Sequence, residues 1–155
     1  MQIRPANAAD IPAIVRIHVM AWDAAKEGLE LPTRRTPEQR TEFWTSYLER
    51  GESTLLVAER DGAVAGFIAF GLSRDDDRRG EVEIYTLYVD PGSWGQGVGS
   101  MLMAEVPAGA TVSLWVSERN ARARRFYARH EFVADGAQES GLHVPVIRVV
   151  RPPIG

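Results

Sequence analysis

The apolar positions of this chain change period several times, and the changes mark its elements. Ile3 begins a short strand, and Ile11, Ile14, Val15, Ile17 and Val19 then recur near helical spacing. Asn7, with Asp10 three positions later, is placed to cap that helix, which is expected to run through Met20 and Trp22. Residues 31–37 read as a loop containing Pro, Thr and Arg. Residues 38–50 read as a second helix carrying Phe43, Trp44, Tyr47 and Leu48. Strands at 54–59 and 64–72 meet at Asp61-Gly62, a hairpin signal. The β-branched and aromatic run Val82, Ile84, Tyr85, Thr86, Tyr88 and Val89 predicts a further strand, stopped by Asp90-Pro91-Gly92. A short helix follows, ended by Pro107 and Gly109. After it come a buried strand at 112–116, a helix capped by Asn120, a loop at 135–141 and a last strand at 144–150. This order predicts an α+β fold on a mixed, mostly antiparallel sheet flanked by helices.

Bulk properties narrow the classes without naming a chemistry. A chain of 155 residues, 45% hydrophobic and 25% charged, is expected to fold as a single domain with a proper core. A net charge of -3 and a pI near 5.6 give no reason to expect nucleic acid or an anionic membrane as partner. No run is long and apolar enough to span a bilayer, and the opening lacks the apolar stretch of a signal peptide, so a cytoplasmic location is the default expectation. There is no cysteine, which removes disulfides, thiol ligands and Cys nucleophiles together. His18, His130 and His143 show no metal-ligand spacing, and residues 75–79 read as a solvated turn that does not follow a calcium loop.

The chemistry-bearing stretch is EVEIYTLYVDPGSWGQGVGSMLM, residues 81–103. There Gly95, Gly97 and Gly99 alternate with Gln96 and Val98, so backbone can approach a ligand with no Cβ in the way. N–H groups in such a turn, opening into a helix near Gly97, suit an anion, and phosphate is the natural guess. A P-loop would need Lys and then Ser or Thr after its last glycine, and Ser100-Met101 stands there instead. A dinucleotide fingerprint would put its third glycine at Ser100, a near miss, with Glu118 as the acidic residue about twenty positions on.

The companion segment is 114–132. A polar break is followed by a helix on which Ala123, Phe126 and Tyr127 share one face and Arg122, Arg125 and Arg129 another. Together the two segments resemble the GCN5-related N-acetyltransferase (GNAT) superfamily, in which they correspond to the acyl-CoA diphosphate loop and the following strand and helix. The opening at residues 3–22 and the strand at 83–91 extend the resemblance over most of the chain. It implies one N-acetyltransferase domain, with splayed central strands, over residues 1–155. Two departures stand out: Trp94 occupies the loop position where the family has Arg or Gln, and the helix after the loop is short.

Acyl transfer from a thioester to an amine needs a neutral amine, donors for the developing oxyanion and a proton for the leaving thiolate. By resemblance, the cofactor is acetyl-CoA or a related acyl-CoA. It is bound by Leu87, Tyr88 and Val89, by the loop Trp94, Gly95, Gln96, Gly97, Val98, Gly99 and Ser100, and by Asn120 and Arg122. Tyr127 matches the family's general acid. Glu83 stands where relatives carry a carboxylate near the amine, with Glu81 on the same strand face to orient it. His18, Trp22, Glu81 and Tyr85 would line the acceptor side, and the acidic residues mildly favour a cationic amine. The expected partner is a small-molecule or peptide amine, with a homodimer left open and no metal. Two alternatives stand beside this enzyme: a catalytically silent acyl-CoA-binding module, and an oxidoreductase using Glu118 on a nicotinamide dinucleotide.

Overall fold

The computed structural model describes residues 1–25, 36–140 and 145–154. Seven strands form one sheet in the order β1-β2-β3-β4-β5-β7-β6. They are β1 (Gln2–Pro5), β2 (Thr54–Arg60), β3 (Ala63–Leu72), β4 (Val82–Val89), β5 (Val112–Ser117), β6 (Val133–Ser140) and β7 (Pro145–Arg151). The pairs β1–β2, β2–β3, β5–β7 and β6–β7 run antiparallel, while β4 pairs in parallel with β5 at Val82↔Val112 and Glu83↔Ser113. The helices are α1 (Ile11–Ala25), α2 (Pro37–Arg50), α3 (Val98–Met103) and α4 (Ala121–Arg129). None of them is long and apolar enough to cross a membrane. The chain divides into two compact units, Met1–Phe70 with Thr86–Val106, and Gly71–Tyr85 with Pro107–Gly155.

In the first unit, Asn7 caps a 3-10 turn leading into α1, and Asp10 closes the capping box from the third position of that turn. Arg4 fixes the Asp10 carboxylate through two hydrogen bonds of 2.8 and 2.9 Å. A second capping box, Thr36 with Gln39, starts α2, whose end is set by Gly51 in the left-handed region. The core gathers Ile14 and Ile17 from α1, Trp44 from α2, Val57 from β2, Phe67 and Ile68 from β3, and Val98 and Leu102 from α3. Adjacent residues of β3 point to opposite faces. Phe67 therefore meets Trp44 on one side, while Gly66 lies against Val98 and Leu102 on the other. A strand covered on both faces explains the nearly unbroken apolar run at 64–70.

In the second unit, β5 and β7 pair over six positions around Val112, Leu114, Ile147 and Val149. Two expectations fail here. Of the loop expected at 135–141, residues 135–140 instead belong to strand β6, paired to β7 on both sides of an irregularity between Ala134 and Gln138 where Gly136 takes φ 93°, and Gly141 lies outside the described residues. Its polar residues hide a strand that exists because β7 offers an edge to pair with. The turn at 75–79 is also more than solvated surface. Asp75 and Asp77, with Asp135 of β6, bind the guanidinium of Arg148, which is buried and stacks on Trp115. The other helices and strands form close to where the pattern put them, including the short α3; residues 31–35 of the expected loop at 31–37 and residue 144 of the last strand lie outside the described residues.

Candidate active site

In the first unit, β4 ends in a turn whose Asp90 Oδ1 accepts a hydrogen bond from Gly92 N at 3.0 Å. The Asp90 backbone N–H donates to Ala65 O of β3, which ties the loop to the sheet. Gly95 and Gly97 take φ of 78° and 84°, and an added Cβ at either would meet nothing within 4 Å. Positive φ explains the glycines, and both residues are exposed. Val98 is buried and anchors the loop's far end, whereas Ser100 is exposed. Trp94 turns back, donating its indole N–H to Val89 O at 3.0 Å. Gln96 accepts a hydrogen bond from Arg60 at the end of β2.

Leu87, Tyr88 and Val89 are half-buried on the C-terminal part of β4. The Tyr88 ring stacks on His18 with centroids 4.8 Å apart, and burial raises its phenol above the usual value, with nearby Arg40 opposing. His18 receives the Trp44 indole N–H at 3.2 Å and lies within 3.0 Å of the buried Arg40 guanidinium. Trp22, one turn along α1, is half-buried.

The second unit holds the other predicted residues. Glu83 is 1% exposed, and Arg74 occupies both its oxygens, through the backbone N–H at 2.8 Å to Oε1 and Nη2 at 2.8 Å to Oε2. The same guanidinium lies 4.5 Å from the ring centre of Tyr85, whose hydroxyl donates to Leu72 O at 2.5 Å. Bonding to Glu83 raises the Arg74 pKa, so this cation stays charged. Glu81 pairs with Arg78 at 3.0 Å, so Arg74 is the group that orients Glu83. Tyr127 is buried on α4, edge-on to Phe126 and Phe132. Asn120 caps that helix by accepting from Ala123 N at 3.1 Å, which leaves its amide N–H groups for another partner. Arg122 is exposed, and its pKa is lowered by partial desolvation and by Arg125 and Arg129. Among the described residues no cluster of His, Asp or Glu could hold a metal.

The sequence model of the acetyltransferase (GNAT) family matches residues 17–132, which include the glycine loop, Glu83, Asn120 and Tyr127. The chain belongs to the GNAT family. An uncharacterized N-acetyltransferase of Archaeoglobus fulgidus is 32% identical, over 84% of this chain and 92% of its own. A probable N-acetyltransferase of Mycobacterium tuberculosis is 29% identical, over 94% and 90% of the two chains. The fold is also that of the PaiA N-acetyltransferase of Thermoplasma acidophilum, solved with coenzyme A. Its TM-score is 0.75 at 16% identity, covering 95% of this chain and 96% of that one.

GNAT membership leaves the nicotinamide reading of Glu118 without support. That residue lies exposed beyond β5, and its carbonyl accepts from Arg124. Three arginines escaped the sequence reading: Arg74 on Glu83, Arg60 on Gln96 and Arg40 against His18. Arg74 and Arg60 flank turns next to the residues they serve. An arginine beside a hairpin, across from a site residue, was the available signal.

Proposed function

We propose that the protein transfers an acetyl group from acetyl-CoA directly to a primary amine of a small molecule or peptide. The observation that carries this is the open backbone at Gly95 and Gly97, just after β4, in a chain of the GNAT family. The residues fit the cofactor: positive φ at Gly95 and Gly97 leaves an uncovered backbone surface suited to a diphosphate. The Thermoplasma fold neighbour, solved with coenzyme A, supports the same reading. Loop residues 94–100 would hold the diphosphate end and the backbone at 87–89 the pantetheine arm; in the second unit, Asn120 and Arg122 are the residues the family resemblance assigns to the cofactor.

Bound acetyl-CoA supplies an activated thioester. The residues of this chain do the rest. Backbone N–H groups at 87–89 donate to the oxygen that gains charge during attack. Tyr127 holds a proton at Oη for the departing sulfur. Glu83 accepts the amine proton, directly or through water, and releases one Arg74 hydrogen bond as it does so. With Glu81 and Glu83 both paired to arginines, their charge gives little pull on a cationic acceptor. His18, Trp22 and Tyr85 are the remaining acceptor-side candidates.

The test is calorimetric titration with acetyl-CoA, CoA and NAD(H), repeated on Gly97→Glu, whose added carboxylate repels a phosphate. CoA binding that vanishes in the variant is expected, and NAD(H) binding without CoA binding would overturn the proposal. An amine screen read by thiol release then separates enzyme from silent module: release that survives both Tyr127→Phe and Glu83→Gln would remove their assigned roles.

A further inference from the structure

The glycine loop has a charge problem. From Asp90 to Met101 it contains one carboxylate and no lysine or arginine, and Arg16 is already paired with Asp90 at 3.2 Å. The indole at position 94 is turned away onto Val89 O. Within this unit, a diphosphate held there by backbone N–H groups alone would lack a counter-charge.

We infer that Arg60, from the β2–β3 hairpin, supplies that charge and binds the diphosphate of the acyl donor; this rests on the function proposed above. Arg60 is the last residue of β2, paired with Ala63 across a two-residue turn. Asp61 and Gly62 in that turn have φ of 53° and 78°. So tight a turn fixes the arginine's backbone against the sheet. Its guanidinium donates to Gln96 Oε1 and pairs with no carboxylate among the described residues. Other arginines of the same unit are neutralised, Arg4 by Asp10 and Glu59 and Arg16 by Asp90. A neutral amide partner leaves the full positive charge of Arg60 at the loop. The contact engages Oε1 of Gln96 and leaves its Nε2 group, two N–H donors, for another partner. A guanidinium next to amide donors matches the oxygens of a diphosphate.

The experiment is calorimetric titration of CoA, dephospho-CoA and pantetheine into wild type, Arg60→Ala, Arg60→Lys and Gln96→Glu. Arg60→Ala is expected to weaken CoA and dephospho-CoA alike by roughly tenfold, with a smaller loss for Arg60→Lys, because a charged hydrogen bond to phosphate is lost. Gln96→Glu is expected to weaken both ligands by pairing Arg60 internally. Pantetheine, which has no phosphate, should bind all four proteins equally. Arg79→Ala, removing an exposed arginine of the other unit, should leave all three ligands unchanged. Equal CoA affinity in wild type and Arg60→Ala would overturn the assignment, and so would a loss confined to CoA, which would place Arg60 on the 3′-phosphate. If wild type binds none of the three ligands, the function proposed above fails as well, so the two failures are distinguishable.

Discussion

Gly66 of β3 gives the sharpest test of how the donor-binding strand is held. An ideal Cβ at this position would lie 2.9 Å from Tyr88 O, 3.1 Å from Val98 Cγ1 and 3.3 Å from Leu102 Cδ1. The two side-chain tips can yield, but the carbonyl belongs to β4 and moves only with its strand. Gly66→Ala is therefore an overpacking change, worth about 1–3 kcal/mol of destabilisation. Stiffening the unfolded chain returns about 0.5 kcal/mol. A net loss of about 0.5–2.5 kcal/mol remains, which lowers Tm by about 1–10 °C in a protein of this size. The displaced carbonyl lies in the segment assigned to the pantetheine arm, so CoA affinity should fall along with Tm. Gly109→Ala is the control: its Cβ meets nothing within 4 Å and its φ is not positive, so it should be neutral or slightly stabilising. Calorimetric melting and CoA titration on both variants provide the assay. If Gly66→Ala melts at or above the wild type and binds CoA equally, close β3–β4 approach does not hold this strand in place.

Tyr127→Phe should lower kcat on the order of 100-fold while leaving CoA affinity unchanged, since the ring packing survives and only the proton is lost. Arg74→Met should lower kcat with a smaller effect on CoA affinity, because Glu83 loses the group that orients it; thiol-release kinetics separate the two effects. Bonding to Arg4, opposed by desolvation, holds the Asp10 carboxyl below the usual carboxylate range. Asp135 is also lowered, its desolvation outweighed by the Ala137 N–H, Arg78 and Arg148. A depressed folded-state pKa adds stability above the unfolded value near 4 that is lost as pH falls through the folded one. Tm should therefore drop as pH falls below about 4, and Asp10→Asn should make that acid limb shallower. Arg148→Met should lower Tm by several degrees and speed amide exchange in β6, because three aspartates lose their shared cation.

The chain's own pattern determined most of the element order. Local signals explain why: Asn7 with Asp10 and Asn120 act as caps within three residues of themselves, and Asp61-Gly62 closes a turn within four. The glycine loop was readable for the same reason, since positive φ at Gly95 and Gly97 is a property of single residues. What only the tertiary structure decided is what depends on partners distant in sequence. Strand β6 is too polar to announce itself and exists through its pairing with β7. Arg148 gathers aspartates from both sides of a long stretch of chain, so a run that reads as solvated becomes the surround of a buried cation. Arg74 and Arg60 take their roles from hairpins that bring them to Glu83 and Gln96. A side chain's rotamer and its charged partner are settled by packing between elements, and no local period along the chain encodes that.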